Sequence, residues 1–444
     1  LLIFVILKGV AMEVNVIGAG LAGCEASWYL ANKGHKVKLF EQRPLNSTPA
    51  HNTDKFAELV CSNSLRSYEL ATGPGLLKYE MAKLNSIVMK AAMDQPLAAG
   101  SALAVDRHHF SDYITDKIYN HPNIEVITQE YYNLDDIPTI ICTGPLTSDK
   151  LLDSLKNLLG DDFGYFFDAA APIIDFDSIN MDKAYFKSRY DKGEASYINC
   201  PMTKEEFEHF YQELINAKCV EPKDFELKVF EGCMPFEIMA KRGEQTLLFG
   251  PMKPVGLEQP DGTRPYAVVQ LRQDNAIKTL YNIVGFQTHL TFGEQERIIH
   301  MIPGLEHANI IRYGVMHKNN YINSPKVLNQ YLQLKTHPHI FFGGQVTGVD
   351  GYIESASAGI NAAINMDRYL RGEEMVVFPQ ETAIGALSYY ITHADPNDFQ
   401  PMKINFGIIK DFDLKVKKKY KKMGYAIRAI YCFDQFVKDN GVIN

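Results

Sequence analysis

No two cysteines in this chain stand at Cys-x-x-Cys spacing, and the seven present are scattered without a pairing framework. That absence excludes the usual zinc patterns and a disulfide scaffold; it points to reduced thiols in the cytoplasm, with no metal expected. Long apolar runs are missing too. Residues 1–11 (Leu-Leu-Ile-Phe-Val-Ile-Leu-Lys-Gly-Val-Ala) are too short to span a bilayer and lack a basic leader, so Met12 is the expected initiator and no membrane contact is expected. Positive charge is not in excess: the formal net charge is −8, and a nucleic-acid partner would have to be held by a local basic patch. Repeats and low-complexity tracts are absent. What is there, 444 residues at 46% hydrophobic and 22% charged, is the composition of a globular protein with two domains or one large domain carrying an insertion.

A glycine-rich fingerprint opens the chain. Val14-Asn15-Val16-Ile17 runs into Gly18-Ala19-Gly20-Leu21-Ala22-Gly23, a helical pattern follows, and Val37-Lys38-Leu39-Phe40-Glu41 ends in an acid. GxGxxG alone is weak, but strand, glycine turn, helix and distal acid together make a specific dinucleotide signature. Gly18 permits the tight turn, Gly20 lets the backbone approach a pyrophosphate, and Gly23 lets the helix pack close to the sheet. Glu41 is the expected ribose acceptor. The competing reading is a βαβ unit whose glycines serve packing alone, and NAD and FAD share this unit.

Further along, Phe56 to Ser67 reads as the entry to a helical stretch, and Gly75 to Met93 has the periodicity of one long helix. Ile124 to Ile127 is a short strand, and Thr139 to Pro145 a buried strand ending in a glycine turn. From about Asp168 to Pro325 the βαβ alternation stops. Helical Thr203 to Ala217 mixes with expected strands at Thr246 to Phe249 and Tyr266 to Leu271, the pattern of an inserted α+β unit. Phe341-Phe342-Gly343-Gly344-Gln345 then resumes a buried strand, followed by a small-residue helix starting near Tyr352. Such a helix start presents N–H groups and a positive dipole end that suit the negative charge of a reduced flavin ring. The cofactor-binding set is therefore Gly18, Ala19, Gly20, Leu21, Ala22, Gly23, Glu41, Arg43, Gly344 and Asp350.

Two cysteines invite a chemical role. Cys233 sits at the Gly232-Cys233-Met234-Pro235 turn between Glu231 and Glu237, and Cys61 has the polar company of Ser62, Asn63 and Ser64. A lone cysteine is more often a small buried hydrophobe, and neither context establishes a reactive thiolate. The densest basic patch runs from Lys415 to Lys422, with Tyr420 and Tyr425 interleaved; it is either a solvated helix face or an RNA contact through Lys415, Lys418, Lys419 and Lys422. The histidines at 108, 109, 317 and 337 lack ligand spacing.

From Met12 onward the chain resembles the folate- and FAD-dependent tRNA (uracil-5-)-methyltransferase family. The resemblance rests on the opening Val16-Ile17-Gly18-Ala19-Gly20-Leu21-Ala22-Gly23-Cys24-Glu25-Ala26 and on Leu59-Val60-Cys61-Ser62-Asn63-Ser64, Asp168-Ala169-Ala170-Ala171-Pro172 and Tyr197-Ile198-Asn199-Cys200-Pro201-Met202. It continues through Glu231-Gly232-Cys233-Met234-Pro235, Gln270-Leu271-Arg272-Gln273-Asp274-Asn275, Asn282 to Thr288 and Ile302 to Glu306. It implies an α/β fold with a Rossmann-type FAD-binding domain and an inserted α+β domain, divided as 12–167, 168–325 and 326–444. It also implies FAD as cofactor, with 5,10-methylenetetrahydrofolate and NAD(P)H as co-substrates, although no second GxGxxG marks a nicotinamide site. Cys233 would be the nucleophile toward carbon 6 of a uracil and Cys61 the base at carbon 5, beside the flavin. The RNA would be tRNA at its T-loop uridine, or alternatively ribosomal RNA. Other readings are an inactive RNA-binding flavoprotein, which retention of both cysteines opposes, and a simple NADH oxidase. Phe236 and Val349-Asp350 depart from the family pattern, and the longer MnmG-type flavoproteins are disfavoured by length.

Overall fold

The computed structural model describes residues 12–48, 50–160, 163–220, 234–314, 316–411 and 417–443, with the backbone alone at 163–169, 316–318 and 418–419. Residues 1–11, which precede the expected initiator Met12, and the Gly232-Cys233 turn lie outside them.

Among the described residues, five parallel strands form one sheet in the order Ile340–Phe342, Thr139–Ile141, Glu13–Ile17, Lys36–Glu41, Ile124–Thr128. Val14, Val16, Val37 and Leu39 are buried apolar residues of adjacent strands, paired in register Val14 with Val37 and Val16 with Leu39. Near-continuous apolar strands are what a sheet covered on both faces requires. The helix Leu21–Asn32 leaves the first strand through the glycine turn and crosses the helix Tyr352–Arg371 closely. Small residues allow that crossing: a Cβ on Gly359 would stand 2.3 Å from the Ala22 carbonyl oxygen, and one on Gly23 would stand 1.8 Å from that of Gly18.

A second, antiparallel sheet has the order Tyr185–Phe186, Tyr197–Met202, Ala267–Gln273, Leu280–Ile283, Ile173–Asp175, Ile310–Arg312. It carries its own hydrophobic cluster, built around Ile198, Phe207, Phe210, Val269, Leu271, Ile283 and Phe286. The helix Lys204–Ile215 covers it and starts at Thr203 with a capping box, Thr203 and Glu206 satisfying each other's backbone N–H groups. An antiparallel ribbon, Phe163–Ala169 with Met316–Ile322, carries the chain out to this sheet and back. The architecture is thus a Rossmann-type α/β unit with an α+β insertion.

Three local expectations fail. The long helix over Gly75 to Met93 is two, Gly73–Lys83 and Ile87–Asp94, broken where Asn85 takes a left-handed backbone (φ 65°) and Ser86 caps the second. Phe56 to Ser67 is not helical; it runs through turns into the strand Ser64–Ser67. Thr246 to Phe249 belongs to a short helix, Glu244–Phe249, bounded by Gly243 and Gly250. A short apolar run has no period long enough to distinguish strand from helix.

The helix crossing yields a test. Gly359→Ala must force the two backbones apart, and overpacking of this kind costs about 1–3 kcal/mol. The expected outcome is a lower urea midpoint at unchanged slope; an unaltered midpoint would show that the crossing has slack.

Candidate functional site

The carboxyl ends of the parallel strands open onto a cleft. Its lining includes Gly18, Gly20, Leu21, Ala22, Glu41, Arg43, Thr143, Gly144, Gly344 and Tyr352. Ligands of open α/β sheets bind at this end, where the strand order reverses. The helix Leu21–Asn32 has Gly20 as its N-cap and no side-chain cap, so its first N–H groups are available to an anion. A Cβ on Gly20 would meet nothing within 4 Å, so the space over that turn is open. Gly18 takes φ +97° directly beneath, where a Cβ would lie 2.7 Å from the Cys142 carbonyl oxygen. This is room for a pyrophosphate over a helix terminus.

Glu41 stands where the fingerprint predicts it, at the end of the second strand, and one of its oxygens accepts from the Ala19 N–H at 3.0 Å. The other accepts from Arg43 N (3.0 Å) and Nε (3.1 Å). Burial pushes the Glu41 carboxyl up, but the Arg43 guanidinium and these N–H donors outweigh it, leaving the group below its ordinary range and ionised. It is an anchored acceptor on the cleft wall. Gly344 also lines the cleft, its positive φ of 84° placing it against Ala22. Asp350 does not: it is buried and pairs with Lys403 at 3.1 Å. Ala19 and Gly23 support the turn from behind rather than line the cleft.

Cys61 is half-buried beside the cleft, between Val60, which lines it, and Ser62. The segment holding it is clamped from several sides. The Tyr352 hydroxyl oxygen accepts from Cys61 N at 2.7 Å and Ser62 N at 3.0 Å. Burial pushes that phenol far up, so it stays neutral. Arg107 donates to the carbonyls of Leu59 (2.5 Å) and Cys61 (3.3 Å) and pairs with Asp274 at 3.0 Å. Arg312 donates to the Val60 carbonyl at 2.8 Å. Arg272 reaches Ser62 Oγ at 2.7 Å and Asn63 Oδ1 at 3.1 Å, while Asn63 Nδ2 donates to the Gln273 carbonyl at 2.9 Å. Thus the Leu59–Ser64 and Gln270–Asn275 motifs, far apart in sequence, meet at one seam between the two sheets. The sequence reading missed Arg107, Arg272, Asp274, Arg312 and Tyr352 as site residues; only the second motif hinted at two of them.

The other cysteines sort by burial. Desolvation pushes the thiols of Cys24, Cys142 and Cys200 up, so each stays protonated in the core. Of the basic run, Lys415 lies outside the described residues, as do the side chains of Lys418 and Lys419, while Lys422 is exposed on the helix Lys418–Asn440. Tyr420 is exposed, but Tyr425 is not a stacking group: it is buried against Phe406, with its hydroxyl 2.5 Å from Asp411.

The family described as Glucose inhibited division protein A (GIDA) matches residues 13–374. The chain is 59% identical over 430 residues to the methylenetetrahydrofolate--tRNA-(uracil-5-)-methyltransferase TrmFO of Anoxybacillus flavithermus, covering 96% of this chain and 100% of that protein. To the protein of the same name from Bacillus subtilis it is 58% identical over 420 residues, covering 94% and 97%. Among solved structures, GidA of Aquifex aeolicus in its form II crystal superposes with a TM-score of 0.72 at 17% identity, over 97% of this chain and 74% of that one. That likeness carries the fold. No helix among the described residues is long and apolar enough to cross a membrane.

The seam generates a prediction. Asp274 and Arg107 are both largely buried, so Asp274→Ala strands a guanidinium, at a cost of about 3–5 kcal/mol. Guanidinium denaturation should show that loss, and Cys61 should become more reactive toward a thiol reagent as its segment loosens. Unchanged stability and labelling would mean that Arg107 holds the segment without its carboxylate.

Proposed function

The chain belongs to the glucose inhibited division protein A family and to the TrmFO family, and on that premise we propose that it forms 5-methyluridine in tRNA, at the T-loop uridine. The one-carbon donor is 5,10-methylenetetrahydrofolate, the resident cofactor FAD and the reductant NAD(P)H, and the work is done in the cytoplasm. The observation that carries this reading is the near-complete overlap with TrmFO relatives. The segments 12–167 and 326–444 form the FAD-binding part and 168–325 the insertion.

The cleft suits FAD: uncapped N–H groups at Leu21 to Gly23, open space over Gly20, and an ionised Glu41 on the cleft wall at the end of the second strand. Bound there, FAD supplies the electrons that turn the folate-borne one-carbon unit into a methyl group. The chain's own work is done by thiols. Carbon 5 of uracil is a poor nucleophile until a thiolate adds to carbon 6 and creates an enolate, so covalent catalysis divides one hard step into two. Cys233 is the nucleophile, an assignment resting on the family resemblance. Cys61 takes the carbon-5 proton once the one-carbon unit is attached. Arg107, Arg272, Arg312 and Tyr352 are positioning residues that hold the Cys61 backbone beside the cleft.

RNA is held in part by Lys415, Lys418, Lys419 and Lys422. Lysines at the start of the helix Lys418–Asn440 oppose its dipole, a local cost that a polyanion offsets.

Mass-spectrometric nucleoside mapping of tRNA and ribosomal RNA from cells with and without the gene tests the substrate: 5-methyluridine lost from tRNA supports the reading, and loss from ribosomal RNA alone replaces it. RNA carrying 5-fluorouridine has no removable proton at carbon 5 and should trap a covalent adduct. Cys233→Ala should abolish adduct and methylation, whereas Cys61→Ala should lose methylation yet still form the adduct, with FAD content measured alongside. The opposite pattern would exchange the two roles. Charge reversal at Lys415, Lys418, Lys419 and Lys422 should weaken RNA binding and reduce its log–log salt slope by roughly one per lost contact, with flavin content unchanged. Binding that is indifferent to these changes would return the run to a solvated helix face.

A further inference from the structure

Away from the cleft, the insertion brings together three side chains that no local spacing connects. Cys219 follows the helix Lys204–Ile215 and bridges to Leu290, Glu237 lies in the first turn of the helix Phe236–Lys241, and His289 precedes that bridge. One ligand atom from each lies within 4.8 Å of the other two. We propose that Cys219, Glu237 and His289 bind one zinc-type divalent metal ion, a site separate from the methyl-transfer machinery.

The donor set is one that zinc accepts: a thiolate sulfur, an imidazole nitrogen and a carboxylate oxygen, with a fourth position open to water. A second observation points the same way. His289 is only 7% exposed, and its Nδ1 stands 2.5 Å from Glu237 Oε1, so a buried imidazole and a buried carboxylate face each other directly. The imidazole is hydrogen-bonded to both Cys219 and Glu237, and a metal ion would take the place of those protons, the donors moving slightly apart to hold it.

The scaffold under the donors is fixed. Glu237 Oε1 accepts from His289 N at 2.7 Å and Oε2 from Thr288 Oγ1 at 3.0 Å, so the carboxylate is oriented by its outer hydrogen bonds, as metal-bound carboxylates are. The backbone around Cys219 is tied to the same segment by Val220 N to His289 O (2.7 Å) and Thr291 N to Lys218 O (3.1 Å). Phe236 N to Gln287 O (2.8 Å) ties in the helix start that carries Glu237. Cys219 precedes, and Glu237 follows, the stretch 221–233 that carries Cys233. An ion held by both therefore ties residues 219 and 237 to each other across that stretch of sequence.

The full-length flavin-loaded protein, stripped with a chelator and then loaded with zinc, tests the site. The expected result is one zinc per chain after gel filtration, with one sulfur and otherwise nitrogen or oxygen neighbours in the zinc X-ray absorption spectrum. Cys219→Ser should remove the sulfur shell and weaken zinc binding roughly tenfold or more, and His289→Gln should weaken it similarly. Zinc retained equally by wild type and Cys219→Ser, or a sulfur shell that survives the substitution, overturns the proposal. Should Cys219→Ser fail to fold, peptide-resolved alkylation of the wild-type chain decides: zinc slows modification of Cys219 if the site exists and leaves its rate unchanged if it does not.

Discussion

Arg107 is the group on which the site depends. Its guanidinium is buried where the two sheets meet, and a buried charge persists only when paired and hydrogen-bonded on most of its donors. Asp274 of the insertion supplies the charge, and the carbonyls of Leu59 and Cys61 supply the remaining acceptors. The consequence is mechanical: the backbone around Cys61 cannot move without leaving Arg107 unsatisfied, and the insertion cannot separate from the Rossmann-type unit without leaving Asp274 unpaired. Asn63 strengthens the coupling by bonding to both sides, to Val105 and to Gln273. With Arg272, Arg312 and Tyr352, the segment of a half-buried thiol at a cleft edge is thereby held from four different elements.

The nucleotide end of the cleft is built on a different principle. Its recognition elements are mostly backbone: uncapped N–H groups of a helix start, glycines that let chain segments approach closely, and one ionised carboxylate tied to the loop it serves. Backbone donors carry little side-chain freedom to lose on binding, which favours a cofactor that stays in place. The seam around Cys61, by contrast, is made of long arginine side chains, whose order comes entirely from their partners.

This contrast explains what was legible in the sequence. The fingerprint could be read because its requirements are local: Gly18 has a positive φ, Gly23 packs against a carbonyl, and Glu41 comes one strand later. The return strand Ile340–Phe342 and the helix from Tyr352 were legible for the same reason. Leu59 to Ser67 was misread as helical because nothing local dictates its shape; Arg107, Arg272, Arg312 and Tyr352 do, from distant positions. The break at Asn85 was hidden because apolar periodicity resumes on its far side, while its left-handed backbone is stabilised by the capped turn around it. Tyr425 shows the converse error, a residue judged by its basic neighbours in sequence when its environment is Phe406 and Asp411.

The cysteines bring these strands of argument together. Their scatter in the sequence gave no basis for ranking them, since a thiol's chemistry is decided by what surrounds it. Cys24, Cys142 and Cys200 are enclosed by core residues, and desolvation keeps them protonated and inert. Cys61 and Cys219 are left half-buried, one beside a nucleotide cleft and the other beside an imidazole and a carboxylate. Burial thus marks three thiols as packing groups, while the half-buried ones, Cys432 among them, are told apart only by their neighbours. Those surroundings exist only in three dimensions, which is why residue spacing could not rank the cysteines.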